Sequence, residues 1–367
     1  MKIEISDLKQ RYRDEKKEIL GAVDRVLKSG KLVLSDPNIK FENLIKKFTG
    51  AKYCLGLNSG TDALMMALWS LGIGKGDEVI TSPISFIATA NSIIHVGAKP
   101  VFVDVDDDLN INVELIEKAI TKKTKAIMPV HWTGRVCNMQ KIIKIARKFN
   151  IPVIEDAAQA IGAYYSKKHA GTFGEISAFS THPFKNLNAI GDGGFIITNK
   201  KNLFEKIKAY RNHGIAGNNK IIYNGVNSRL DAIHAEILNF RLRKLKKIIQ
   251  IKKRNINLYQ KLIKTNCMKI LENKKIETNS HSMFVTLCEN RDELQKYLMK
   301  QGIETRVYYN TPLHLYEATK FLGYKKGSLR KAEKFSKEFL SFPYHQYIKK
   351  KHIEFICKKI NKFYSRN

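Results

Sequence analysis

Cysteine is scarce in this chain of 367 residues: five, at Cys54, Cys137, Cys267, Cys288 and Cys357, an odd number with no CxxC pair. That argues against a disulfide framework and against a zinc site, so reduced, buried thiols and no bound metal are expected. Long apolar runs are lacking too. No window approaches the roughly 18 consecutive apolar residues that cross a bilayer. The opening MKIEISDLKQRYRDEKKE is charged from its start, with no apolar signal core. A cytoplasmic protein without a membrane span is expected. Acidic residues are few, 34 Asp and Glu against 65 Lys and Arg, for a net charge of +31. Such an excess alone suggests an anionic partner. The lysines, however, are spread in short runs such as Lys122-Lys123, Lys200-Lys201, Lys246-Lys247 and Lys349–Lys351, and no single arm or helix carries them. A solvated, repulsive surface is the reading, without nucleic acid as partner, although the charge can help attract a phosphorylated substrate.

What is present is an α/β pattern. The first fifty residues read as helical and partly irregular, with apolar residues of Glu15–Lys28 near the helical period and a second amphipathic helix through Phe41, Leu44, Ile45 and Phe48. From Ala51 strand, loop and helix alternate, which marks a mostly parallel sheet with helices on its faces. Candidate strands are Tyr53–Leu57, Glu78–Ser82, Pro100–Val105, Ala126–Val130, Pro152–Asp156, Ile176–Ser180 and Gly194–Thr198. The last two lack a helix between them, so the final strand is expected to run antiparallel. Arg229–Leu245 reads as a long helix. After it the character changes, with Met283–Leu287, Arg291–Lys300 and Glu304–Tyr309 as strand, helix, strand, then helices near Ala332–Leu340 and at the C-terminus. The expectation is a large domain over 1–245 and a smaller C-terminal α+β domain over 246–367.

Chemistry concentrates where strands end. Pro152–Asp156 is an apolar strand closed by a carboxylate, and ligands of open α/β sheets lie beyond the carboxyl ends of strands. In NSGTDAL (Asn58–Leu64) a strand turns into a helix, whose free amides and hydroxyls suit an anion such as phosphate; an ordinary helix cap by Ser59 or Thr61 reads equally well. In TSPISFIATAN, Phe86 falls in a loop, where it either stacks on a flat ring or simply joins the core. Asp156 is followed by Gln159, and Ser180, Lys185 and the GDGG turn come next. An anion cradle, a loop aromatic, an acid, an amide and a lysine are together the parts that hold pyridoxal phosphate. Its ring needs a carboxylate beside the pyridine nitrogen to absorb electrons, and its aldehyde needs a lysine amine.

NSGTDAL, SFIATAN, EDAAQAIGA, FSTHPFKN with GDGG, GVNSRLDAIHAEIL and TRVYYNTPLH, in that order along nearly the whole chain, resemble the DegT-type sugar-nucleotide aminotransferases, a branch of the fold-type-I pyridoxal phosphate enzymes. The resemblance implies an α/β three-layer sandwich with a mostly parallel sheet of about seven strands plus the smaller α+β domain. It implies pyridoxal 5′-phosphate, with Lys185 as the Schiff-base lysine, Asp156 as partner of the pyridine nitrogen and Gln159 on the ring hydroxyl. Ser180, Gly60 and Thr61 would hold the phosphate, with Ser59 in the same turn, and Phe86 would stack on the ring. Asn227 would reach the cofactor phosphate of a neighbouring subunit, which implies a homodimer with shared active sites. His131, Tyr308, Tyr309 and His314 fall in segments that line the family's substrate pocket, whereas Arg229 reads as a structural ion-pair residue. The implied reaction moves an amino group from an amino acid, glutamate in the first instance, to a keto-sugar nucleotide destined for surface polysaccharide. Other outcomes are a smaller phosphorylated or cyclic ketone as acceptor, a sugar dehydratase, which replaces the lysine that is present here by histidine, or a regulator on a borrowed fold.

Overall fold

The seven apolar runs expected as strands form one sheet in a computed structural model, which describes residues 2–365. They are β1 (Tyr53–Leu57), β2 (Glu78–Thr81), β3 (Lys99–Phe102), β4 (Thr124–Met128), β5 (Ile154–Asp156), β6 (Ile176–Ser180) and β7 (Gly194–Thr198). One half of the sheet runs β1-β7-β6-β5 and the other β3-β2-β4. Parallel bridges from Ile127 to Val153 and from Val130 to Asp156 join the halves through β4 and β5. β7 is antiparallel to both β1 and β6, as the missing crossover helix requires. Its first residue therefore lies at the same sheet edge as the last residues of its neighbours: Gly194 is level with Leu57 and with Ser180.

The strands read as continuous apolar runs because both faces of the sheet are covered. In β7, Phe195 and Ile197 enter one core together with Cys54, Ile80 and Phe179. Ile196 between them enters the other, with Leu55, Leu57, Val79 and Ala178. Helices α3 (Gly60–Ser70) and α7 (Lys201–Tyr210) cover this second face, and α2 (Asp36–Thr49) and α6 (Met139–Lys148) help cover the first. The α1 helix (Leu8–Ser29) ends at Gly30 and α2 at Gly50, both left-handed, the conformation that glycine takes without strain. Pro37 sits inside the first turn of α2, where a missing N–H costs nothing.

The long helix α8 spans Ala232–Leu262, 31 residues, starting later and ending much later than Arg229–Leu245. Residue 245, where the sequence changes character, lies within it. Leu238, Leu242, Leu245 and Ile249 pack into the large-sheet core, and Ile256 and Tyr259 into the core of the C-terminal part. That part contains an antiparallel sheet of β8 (Met268–Ile270), β9 (Val285–Cys288) and β10 (Phe339–Ser341), with β9 central, and the helices α9 (Arg291–Lys300), α10 (Arg330–Glu338) and α11 (Lys350–Tyr364). Glu304–Tyr309 is not the strand expected. The Glu304 N–H donates to the Ile3 carbonyl and Arg306 exchanges both backbone hydrogen bonds with Ser341, after which the chain leaves the sheet. Tyr308 and Tyr309 are thereby turned into a cavity at the edge of the large sheet. The five cysteines are free thiols, four buried and Cys267 half-buried. Among the described residues no helix is long and apolar enough to cross a membrane.

Candidate active site

The cavity, of about 350 Å³, opens where β5 and β6 end, β7 begins and α3 starts. Close approach at this corner is made possible by two glycines. A Cβ on Gly60 would lie 2.7 Å from the Cβ of Ser180, and one on Gly194 would lie 2.4 Å from the carbonyl carbon and oxygen of Ser59. The first amides of α3 can therefore lie against the end of β6. Ser59 caps α3, its Oγ accepting the Asp62 N–H at 3.0 Å. Ser180 Oγ accepts the His182 N–H at 3.3 Å and, like Ser59, keeps its own proton to donate. Gly60, Thr61 and Ser180 all line the cavity. Backbone amides at a helix start beside two hydroxyls form a ready cradle for a phosphate.

Asp156, the last residue of β5, is buried, and burial raises its pKa. Four groups work in the opposite direction: the Thr89 hydroxyl, which donates to Oδ2 at 2.7 Å, the Ala158 N–H, which donates to Oδ1 at 3.2 Å, and the charges of Lys185 and, last, His131. Thr89 is itself held by Ser85, whose Oγ lies 2.6 Å from Thr89 Oγ1. The acid is thus fixed in orientation by the start of α4 (Ala88–His95) and the loop before it. Lys185 reaches the cavity from the loop between β6 and β7. Its surroundings strip water from the ammonium and bring its pKa down to about 8, with Asp156 the charge that resists the fall.

Gln159 is oriented from behind, since its Oε1 accepts the Thr133 N–H at 2.8 Å, and this leaves its amide N–H donors for a ligand. Phe86 is 54% exposed, so it is no core residue; its ring lies 6.0 Å from that of Tyr309 and both face the cavity. Burial raises the pKa of the Tyr309 phenol, which keeps it a neutral hydrogen-bonding group. A buried acid, an oriented amide, an exposed aromatic, an amine and an anion cradle on one cavity fit a planar phosphorylated heterocycle bearing an aldehyde.

Three expected residues lie elsewhere. His131 is fully buried: its Nδ1 accepts the Cys137 N–H at 3.2 Å and its Nε2 meets Glu155 Oε2 at 2.9 Å, which makes it part of the scaffold behind β5. His314 is buried against Glu333, 3.1 Å from Nε2 to Oε1, and does not line the cavity. Asn227 is exposed, outside the cavity of its own chain. Among the described residues Arg229 makes no ion pair; it donates to Asn212 Oδ1 at 3.0 Å. Sequence reasoning missed Thr89 and Ser85, though both stand in the TSPISFIATAN segment it singled out. It also missed Arg11 and Lys252, which lie on the cavity wall far away in sequence and carry no motif.

The sequence model of the DegT/DnrJ/EryC1/StrS aminotransferase family matches residues 13–361. Among curated relatives, the chain is 40% identical to a pleiotropic regulatory protein of Geobacillus stearothermophilus over 99% of both chains. It is 36% identical to UDP-2-acetamido-2-deoxy-3-oxo-D-glucuronate aminotransferase of Pseudomonas aeruginosa, over 97% of this chain and 98% of that one. Its structure superposes on the crystal structure of S. venezuelae DesV in complex with a ketimine intermediate with a TM-score of 0.97. That pair shares 32% identity, over 100% of this chain and 99% of the other.

Proposed function

This chain belongs to the DegT/DnrJ/EryC1/StrS aminotransferase family and is a pyridoxal phosphate-dependent enzyme of its sugar-aminotransferase kind, and from that premise we propose its donor, its acceptor and the roles of its residues. The donor is an amino acid, glutamate in the first instance. The acceptor is a nucleotide-linked keto-hexose, aminated in the cytoplasm on the way to surface polysaccharide. The observation that carries the assignment of roles is the placement of Lys185 and Asp156 on one cavity, an amine of lowered pKa beside a buried, oriented carboxylate.

Pyridoxal 5′-phosphate supplies the aldehyde that takes the amino group and the ring that absorbs the electrons left when a proton departs from the substrate carbon. Asp156, held by Thr89 and Ala158, keeps a proton on the ring nitrogen by placing a negative charge beside it. Gln159 donates to the ring hydroxyl with the N–H groups its contact to Thr133 leaves free. Gly60, Thr61 and Ser180, with Ser59, bind the phosphate, and Phe86 covers a ring face. Once displaced from its covalent link, Lys185 Nζ takes the proton from the donor's α carbon and later delivers one to the acceptor carbon, work suited to an amine whose pKa lies near neutrality. Tyr308 and Tyr309 line the space left for substrate.

Asn227 acts in a second copy of the chain, reaching its cofactor phosphate across a dimer. Support comes from its exposure and from the apolar residues that flank it in the open, Ile221 at 73%, Ile222 at 52% and Val226 at 45%, an unusual cluster for a surface meeting only water. A solution mass twice that of the chain is expected.

The test is a panel of UDP- and dTDP-linked 3-keto and 4-keto hexoses and of small keto phosphates, each incubated with glutamate and the purified protein. One 2-oxoglutarate should form per acceptor aminated, with Lys185→Ala inactive. Cofactor absorbance that no amino donor changes would contradict transamination by this protein.

A further inference from the structure

Two cavity residues have no part in the account so far: Arg11 of α1 and Lys252 of α8, each only 7% exposed. Around them buried charge does not balance. Arg11, Arg241 and Lys252 are buried cations, and the buried carboxylate among them is Glu15. Glu15 is committed to Arg241: its Oε2 lies 2.9 Å from Nε and 2.8 Å from Nη2, against 3.8 Å from Arg11 Nε. Arg241 is completed by the carbonyls of Asn188 and Ala189, at 2.7 and 2.9 Å. Arg11 Nε, by contrast, has no hydrogen-bond partner among the described residues.

Lys252 is equally under-supplied. Its Nζ donates to Asn186 Oδ1 at 2.6 Å and stands 4.9 Å from the centre of the Tyr344 ring. An ammonium has three donors, and among the described residues no carboxylate pairs with this one. Asp7, half-buried at the start of α1, is occupied in capping it, accepting the Gln10 N–H at 2.7 Å. Arg306, another cation on the cavity wall, already has Glu304 at 3.3 Å. Burial lowers the pKa of Lys252 to about 7, and the charge of Arg11 pushes the same way. Burying unpaired positive charge is costly, and the cost is removed when an anion joins it.

We propose that Arg11 and Lys252 form a subsite for the carboxylate of the amino-acid donor. It rests on the donor half of the reaction proposed above. The anion must be compact and must lie deep in the cavity, because Lys252 holds the side chain of Asn186, the residue that follows Lys185. A donor that exchanges its nitrogen with Lys185 carries a carboxylate one bond from the reacting carbon. In a sugar nucleotide the diphosphate is separated from the reacting ketone by ring carbons. A uronate carboxylate on the acceptor shares the donor's chemistry, and the probes must tell the two apart.

Glutarate, a dicarboxylate without an amine, should be titrated calorimetrically into the holoenzyme, alongside UDP-glucuronate and UDP-glucose. Lys252→Gln, which can still hydrogen-bond Asn186, should weaken glutarate about thirtyfold or more, the loss expected when one charge of a buried pair is removed. Arg11→Gln should also weaken it, whereas Lys252→Arg should keep glutarate within about threefold of wild type by retaining the charge. The KM for glutamate should rise in parallel while both UDP-sugars bind unchanged. A purely structural role would lower the melting temperature of Lys252→Gln yet leave glutarate affinity intact, and that result overturns the subsite. So does a loss confined to UDP-glucuronate, which would assign the cations to an acceptor carboxylate, or failure of the wild type to bind glutarate. Discharge of the cofactor by glutamate with equal constants in wild type and Lys252→Gln removes the subsite and leaves the transaminase standing; no discharge by any donor removes both.

Discussion

The surroundings of Lys185 suit it to the role proposed for it. An amine attacks an aldehyde only when neutral, and a pKa of about 8 in place of 10.5 raises the neutral fraction near pH 7 roughly 300-fold over a solvated lysine. The shift comes from desolvation, with Asp156 opposing it, so the sign of its pH dependence is fixed: neutral amine accumulates as pH rises through about 8 and is lost below. The rate at which cofactor-free protein takes up pyridoxal phosphate should therefore climb through pH 8 and level off; a rate still rising beyond pH 10 would mean an ordinary lysine. That Lys185, Asp156, Gln159 and Ser180 share one cavity was legible in the sequence because each stands at or just after a strand end, the edge of an open sheet where cavities form. His131 and His314 were not, since nothing in a sequence tells a histidine aimed at substrate from one aimed at a buried glutamate. Glu155 and Glu333 decide the matter, and both become neighbours only in the fold. Thr89 went unnoticed for a related reason: a threonine within a helix start reads as neutral filler until Asp156, brought in from another strand, accepts its proton.

At the scale of elements, the site depends on how closely the start of α3 can lie on the end of β6. Gly60→Ala places a methyl 2.7 Å from Ser180 Cβ, so helix and strand must move apart. Overpacking of this kind costs about 1–3 kcal/mol. The cofactor's dissociation constant, read by absorbance titration, should rise about tenfold while the far-ultraviolet circular dichroism is unchanged; wild-type affinity would show that the α3 amides do not hold the phosphate. The seven strands were legible because burial on both faces makes them unbroken apolar runs, and the antiparallel β7 because no crossover helix precedes it. The second half of α8 was not. Lys252 and Asn255 lie on its buried side, and polar residues at core positions break the period by which such a helix is recognised. The same burial of charge conceals the cations of the proposed carboxylate subsite. Glu304–Tyr309 misled in the opposite sense, since Tyr308 and Tyr309 there serve a cavity wall and Val307 packs on the core, with a single bridge to Ser341.

Over the whole molecule a net charge of +31 has been distributed so that few cations matter to chemistry. Many lysines stand on exposed helix faces, where high dielectric and salt weaken their mutual repulsion. Lys185 and Lys252 are the exceptions on the cavity, each with a pKa lowered by burial. A protein with so many amines gives the central claim a stringent test. Borohydride reduction of the holoenzyme, followed by peptide mass spectrometry, fixes the cofactor to whichever lysine carries it. The account predicts one modified peptide, the one containing Lys185, and its loss after pretreatment with glutamate. A label on another lysine, or spread over many, would contradict it.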